Sequence, residues 1–296
     1  VLDAIEKLDF KPNELARSLV MRKSNLVGVI VEDIGIEYMA QLIRGIEEIG
    51  RVYKYDILLS SSYANEEALN NSIAFLATKQ VEGLVVITEN LSDDILLKLR
   101  ETRIPFIILD RYQSFKTISS VKVDYAKEEY NLVKYLYSKG HKDVLFINQN
   151  EENTLNNAKL EGYKKACQEY GKNTYILNIE GRGSDDGYKV GEDAIKVCKE
   201  NGISAVSCLD DEVAIGLIDY CTDNGIHVPK DLSVAGFGDS TIASIYRPNL
   251  TSVEIPYYDV GAIAIRALIK RIKKEEDILH EDWIMDCTIK QRESTL

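Results

Sequence analysis

From Leu26 onward, short apolar runs alternate with amphipathic stretches, and that alternation restricts the fold more than any other feature of the chain. The runs include Leu26–Val31, Asp56–Ser60, Gly83–Ile87, Phe106–Leu109, Val144–Ile147, Ala205–Ser207 and Leu232–Gly236. Between them, Tyr38–Val52, Glu66–Lys79, Tyr125–Lys139, Asn157–Tyr170 and Glu212–Asp223 carry helical periodicity. Fully apolar strands separated by helices predict parallel sheets covered on both faces. At 296 residues there are enough units for two lobes, and one core is near its practical limit at that length. The fold class expected is α/β, with two doubly wound parallel-sheet lobes.

The rhythm breaks twice. At Asp110–Asp124 a polar stretch (Gln113–Lys116) precedes a short strand (Ile118–Val123), which predicts a crossover near Val123–Asp124. At Pro248–Pro256 a second break precedes a long helix, Tyr258–Lys274. The expected divisions are therefore 1–24, then 25–123 with 254–280, then 124–253 with 281–296. Ligands of such sheets sit beyond the carboxyl ends of the strands, which here predicts a cleft between the lobes.

Charge narrows the functional classes. The chain holds 36 Lys+Arg and 48 Asp+Glu, a net charge of −12. A chain this acidic is a poor general polyanion binder, so any nucleic-acid contact must come from a local basic element. Residues 1–24 supply one, with a balance of +1 against −13 for the rest. No apolar run reaches the ~18 residues of a membrane span. The five Cys lack CxxC spacing and the three His are scattered. These counts predict a reduced, cytoplasmic protein with no metal and no cofactor. There is no phosphate-binding glycine loop, HExxH or GxSxG, so an enzyme is not expected. Gly181-Arg182-Gly183-Ser184 reads as a turn, and Asp210-Asp211-Glu212 as a helix N-terminus.

Phe10–Leu19 reads Phe-Lys-Pro-Asn-Glu-Leu-Ala-Arg-Ser-Leu. Asn13 suits a helix cap and Glu14 the first turn. The helix is too short to be stable alone. With Arg17 and an unpartnered Leu19 it suits minor-groove insertion, and a frayed amphipathic end is the alternative. The segment resembles the hinge of the LacI/GalR family of transcriptional regulators, matching at Phe10, Pro12, Asn13, Ala16, Arg17 and Leu19. Val1–Leu8 resembles the last helix of that family's DNA-binding head. Further matches follow in order: Leu26–Ile34, Leu109–Arg111, Gly140-His141-Lys142, Asp211–Gly216, Val228–Val234, Arg247–Thr251 and Arg292–Thr295.

The resemblance implies a head, a hinge helix and a two-lobed core like that of periplasmic sugar-binding proteins. It implies a homodimer on pseudopalindromic operator DNA, with Asn13 as cap, Ala16 in the hinge, Arg17 on groove or phosphate, and Leu19 as wedge. For the effector pocket it implies Tyr38, Lys159, Asp210 and Asp239. Two departures weaken a conventional free-sugar site. Lys159 stands where many members carry Arg, and Gly238 replaces an Asp in Gly236-Phe237-Gly238-Asp239. Lys lacks the bidentate fork of Arg, and Gly offers no carboxylate.

Within the family the resemblance is greatest to its catabolite-control members from low-GC Gram-positive bacteria. It is carried by Arg44–Ile49, Val52–Asp56, Lys79–Gly83 and above all Tyr258–Arg266. In those members this helix helps to bind the phosphocarrier HPr phosphorylated on a serine, which implies docking by Tyr258, Asp259, Arg266 and Lys270. On a helical wheel Asp259, Arg266 and Lys270 fall within about 20° of one line. Arg266 and Lys270 repel by a few tenths of a kcal/mol, which a phosphoserine would offset. A solvated surface face explains the same pattern. Thr288 falls near a place where those members are expected to carry Arg. The function expected is a repressor of carbohydrate metabolism under effector or co-repressor control. The alternatives are a single-operon repressor answering to a sugar or sugar phosphate, and an extracytoplasmic sugar-binding protein, against which the hinge motif argues.

Overall fold

The computed structural model describes residues 23–63, 65–88, 91–109, 119–150, 154–274 and 282–296. The expected DNA contacts Asn13, Ala16, Arg17 and Leu19 lie outside the described residues, as does the polar stretch 113–116. The chain forms two compact units. One gathers the described residues of Val1–Asp110, Ser114–Val121 and Tyr257–Asp282; the other gathers those of Lys122–Pro256 and Trp283–Leu296.

Unit 1 runs β1 (Leu26–Val31), α1 (Glu37–Val52), β2 (Asp56–Ser61), α2 (Glu66–Thr78), β3 (Gly83–Ile87), α3 (Asp93–Glu101), β4 (Phe106–Leu109) and β5 (Ser120–Val123). Unit 2 follows with α4 (Tyr125–Ser138), β6 (Leu145–Gln149), α5 (Thr154–Glu169), β7 (Tyr175–Ile179), α6 (Ser184–Lys189), α7 (Gly191–Asn201), β8 (Ala205–Cys208), α8 (Asp211–Asp223), β9 (Ser233–Gly238), α9 (Thr241–Ile245) and β10 (Thr251–Glu254). The chain then returns as α10 (Tyr257–Ile272) and β11 (Asp282–Met285) to the first sheet, and β12 (Thr288–Lys290) to the second.

The two six-stranded sheets share one topology, β2-β1-β3-β4-β5-β11 and β7-β6-β8-β9-β10-β12. Strands β1 to β5 pair parallel. In the second sheet β6 to β10 also pair parallel, and β12 closes the edge antiparallel to β10. The order reverses between β1 and β3, and again between β6 and β8, which places each switch point, the usual ligand crevice, beside those strands' carboxyl ends. The central strands β1, β3 and β4 are buried along nearly their whole length and read as apolar runs, whereas the edge strands β2 and β7 are partly exposed. Ile30, Leu76, Leu84, Leu99 and Ile108 are central in one core. Ile147, Val206, Val213, Leu217 and Val234 are central in the other.

Local chemistry starts the helices. Asn65, Asp124 and Asp210, at the heads of expected helices, and Ser92, at the head of α3, which the sequence does not announce, each accept a hydrogen bond from a first-turn backbone N–H, which satisfies a donor that the helix leaves open. One expectation needs correcting. The break at Pro248–Pro256 contains a strand, β10, paired with β9. Thr-Ser-Val-Glu has no apolar run to announce it, because its polar side chains are satisfied inside the sheet, as where Ser252 Oγ donates to Asp211.

Candidate functional site

In unit 2 the residues expected to hold an effector stand at the carboxyl edge of the sheet. Lys159, on α5, is 3 % exposed. Its ammonium donates to the Leu209 carbonyl and lies 3.6 Å from the centre of the Phe237 ring. Asp210 caps α8 through the Val213 N–H, and its other oxygen lies 3.1 Å from Arg182 Nε. Asp239 Oδ1 lies 2.6 Å from Arg292 Nη1, and Arg292 also donates to the Leu250 carbonyl. The cations Lys159, Arg182 and Arg292 are therefore all engaged by protein acceptors.

Behind these groups lies a buried polar layer. Glu129, on α4, is fully buried and accepts from Ser207 Oγ at 2.6 Å. Burial pushes its carboxyl up to about 7, against the opposing pull of the Ser207 hydrogen bond and the Lys159 charge. Among the described residues, Glu129 Oε2 and Asn148 Oδ1 are buried without a hydrogen-bond partner. Asp211 accepts from Ser252 Oγ, the Ser240 N–H and Ser240 Oγ. Burial raises its carboxyl, while those bonds pull it back.

Gly238 adopts φ 127° and Asp239 φ 51°. An L-residue rarely takes the first of these, so an aspartate side chain at 238 is incompatible with this loop as it stands. The departure seen in the sequence thus belongs to a different loop shape, and a lost carboxylate is only part of it.

In unit 1, Tyr38 stacks on Tyr257 with ring centres 4.8 Å apart. Thr88 Oγ1 donates to Glu32 at 2.9 Å, joining the carboxyl ends of β1 and β3 at the switch point. The expected docking helix α10 packs along α1 at very short range. A Cβ on Gly45 would meet the Tyr258 carbonyl at 2.1 Å, and one on Gly261 the Leu42 carbonyl at 2.2 Å. Packing on this side leaves the opposite stripe to solvent. Asp259 and Arg266 are exposed and Lys270 is half-buried. Arg266 has no ion-pair partner among the described residues. Tyr258 donates its hydroxyl to Glu48, which Arg44 also engages. Glu48 sits below the usual carboxylate range, first through the Arg44 hydrogen bond and then through that of Tyr258.

The sequence alone does not single out Glu129, Asn148 or Asp211 as members of this polar layer. Arg182 and Arg292 are visible only inside a turn and a terminal motif. A buried Glu in an amphipathic helix carries no local mark, because its partner Ser207 is 78 residues away.

Comparison with known proteins agrees with this architecture. Residues 133–295 match the family model described as a periplasmic binding protein-like domain. The chain is 36% identical to catabolite control protein A of Priestia megaterium, over 93% of this chain and 83% of that protein. It is 35% identical to the HTH-type transcriptional regulator RegA of Clostridium acetobutylicum, over 99% and 89%. The crystal structure of the transcription regulator CcpA of Lactococcus lactis superposes with a TM-score of 0.78 at 29% identity, covering 92% of this chain and 99% of that one. With two sheets of one topology, a polar carboxyl edge and relatives that are transcriptional regulators along nearly their whole length, the chain belongs to the LacI family of transcriptional regulators.

Proposed function

We propose that this regulator is a cytoplasmic, DNA-binding repressor of carbohydrate metabolism, and that serine-phosphorylated HPr docks on α10 as its co-repressor. The observation that carries the reading is the α10 stripe. Arg266 is exposed and without an ion-pair partner among the described residues, on one line with Asp259 and Lys270. A phosphoserine brings about two negative charges and three strong acceptors to such a pair of cations. Operator contact falls to Asn13, Ala16, Arg17 and Leu19. Dimerisation is supported in unit 1 by Leu59 on the edge strand β2 and Phe75 on α2, 38 % and 44 % exposed, and in unit 2 by Ile245 at 65 %.

Calorimetric titration with serine-phosphorylated HPr, with unphosphorylated HPr as control, tests the reading. Binding should require the phosphate. Arg266→Ala should weaken it by about tenfold or more, the worth of one charge-assisted hydrogen bond. Equal binding of both HPr forms, or an unaffected Arg266→Ala variant, would remove α10 from the mechanism.

A second reading, a single-operon repressor with a sugar or sugar-phosphate effector, is favoured by the unpartnered buried acceptors of Glu129 and Asn148 at the carboxyl edge. A ligand hydroxyl is one group that satisfies such acceptors. Titration of the same protein with free sugars and sugar phosphates distinguishes the two readings.

A further inference from the structure

Four helices of unit 1 end in a residue with a left-handed backbone, and none of the four is glycine. They are Lys54 after α1 (φ 64°), Gln80 after α2 (57°), Arg103 after α3 (57°) and Lys274 after α10 (54°). In unit 2 the residues that close α4, α5, α7 and α8 are Gly140, Gly171, Gly202 and Gly225, all at positive φ. Glycine is the ordinary occupant of that place, because a Cβ is disfavoured there. One unit follows the rule at all four ends and the other at none, so backbone energetics did not choose the long side chains of unit 1.

These ends share one edge. Strands β1 to β4 run parallel, so every returning helix finishes at the amino ends of the strands. The end of α10 lies there too, since Arg271 donates to the carbonyl of Phe106, the first residue of β4. Lys54, Lys79, Arg103 and Lys274 are exposed, and none has a carboxylate partner among the described residues. Lys79 rests on the Phe75 ring. Of the carboxylates nearby, Glu82 is engaged by the Asn25 N–H and the Tyr55 hydroxyl, while Asp56 and Glu101 are exposed. Among the described residues this edge sets the exposed cations Lys54, Lys79, Arg103 and Lys274 against the carboxylates Asp56, Glu82 and Glu101, in a chain of net charge −12 in which Glu275, Glu276 and Asp277 follow Lys274. The helix dipole favours cations near both sets of helix ends, yet unit 2 keeps Lys139 and Lys172 beside its glycines. The dipole therefore does not require a cation on the left-handed residue itself.

The chain also enters unit 1 at this edge. Ser24 Oγ donates to the Gln80 carbonyl at 2.6 Å, and the Asp56 N–H donates to the Asn25 carbonyl at 2.9 Å. Whatever precedes Lys23 is thus tethered to the α2 turn that carries Lys79. We infer that the amino edge of unit 1 contacts the phosphate backbone of DNA through Lys54, Lys79, Arg103 and Lys274, an inference that rests on the DNA-binding function proposed above. Exposed cations on long flexible stems, at the edge from which the N-terminal segment departs, neutralise phosphates without reading bases.

The test uses the full-length protein and a pool of random-sequence duplexes of roughly 40 base pairs, titrated across a salt series. Lys54, Arg103 and Lys274 are replaced together, once by Gly and once by Gln. Glycine removes the charge and suits the backbone, so the fold is not weakened; glutamine keeps length and loses charge. Both triple variants should bind about tenfold or more weakly near 0.1 M salt, with a log K against log salt slope shallower by about 2 to 3. Wild-type affinity and slope in both variants would overturn the inference, as would a loss confined to the glycine variant. Failure of the wild-type protein to bind duplex at any salt would instead overturn the DNA-binding reading on which it stands.

Discussion

Glu129 shows how one buried side chain sets a measurable property of unit 2. Its carboxyl is raised from the ordinary 4.5 to about 7. A group raised in the folded state adds stability that is complete below its unfolded pKa and is lost as pH rises through the folded one. Unfolding by urea should therefore show stability declining between about pH 5 and 8. Glu129→Gln should flatten that decline. Below about pH 6 the variant should stay close to wild type, because the protonated carboxyl and the amide are both neutral there. An unchanged pH slope in the variant would show that Glu129 does not titrate in this range. The candidate pocket residues Lys159, Asp210 and Asp239 are visible in the sequence because they stand in short motifs. Their partners Arg182 and Arg292 are visible only as positions, since an ion pair across tens of residues leaves no local pattern. The same holds for Gly238, where the family resemblance implies a missing carboxylate and only the backbone shows the φ of 127° that disfavours one.

Between α1 and α10 the packing is set by two glycines that let backbones touch. Gly45→Ala would place a methyl group 2.1 Å from the Tyr258 carbonyl, which neither rigid helix can yield. The expected cost is about 1–3 kcal/mol, read as a lower thermal midpoint. A variant melting like wild type would show that the helices part freely. Elements with strong periodicity or an apolar run, such as α1, α10, β1 and β3, can be read from the residues to within two positions at either end. The short α3 and the polar β10 escape, because each takes its stability from neighbours contributed by distant parts of the chain. The charged stripe of α10 is legible for the opposite reason, since solvent leaves the 3.6-residue period undisturbed.

At the scale of the molecule, each unit depends on residues far along the chain. Unit 1 takes α10 from Tyr257–Ile272, and unit 2 takes β12 from Thr288–Lys290. Ser294 is fully buried in unit 2, donating to the Val234 carbonyl and accepting from the Thr251 N–H. Truncation after Ile255 should therefore abolish cooperative unfolding of both units, not one. Circular dichroism of the truncated chain checks this, and a surviving cooperative melt would show that one unit closes alone. In the sequence the break near Pro256 marks a change of element, but it does not name the pairing partners, because register depends on which edge remains open once the other strands have assembled.

This discontinuity also has a consequence for synthesis. A ribosome makes β1 to β4 first, then roughly 135 residues of unit 2 before α10 appears. At about 5–20 residues per second the wait is on the order of ten seconds. Throughout that interval the face of α1 formed by Leu42, Gly45 and Ile46 has no helix to cover it. That interval far exceeds the time collapse takes, so the nascent first unit presents an apolar helix face as a client for chaperones until its last helix emerges.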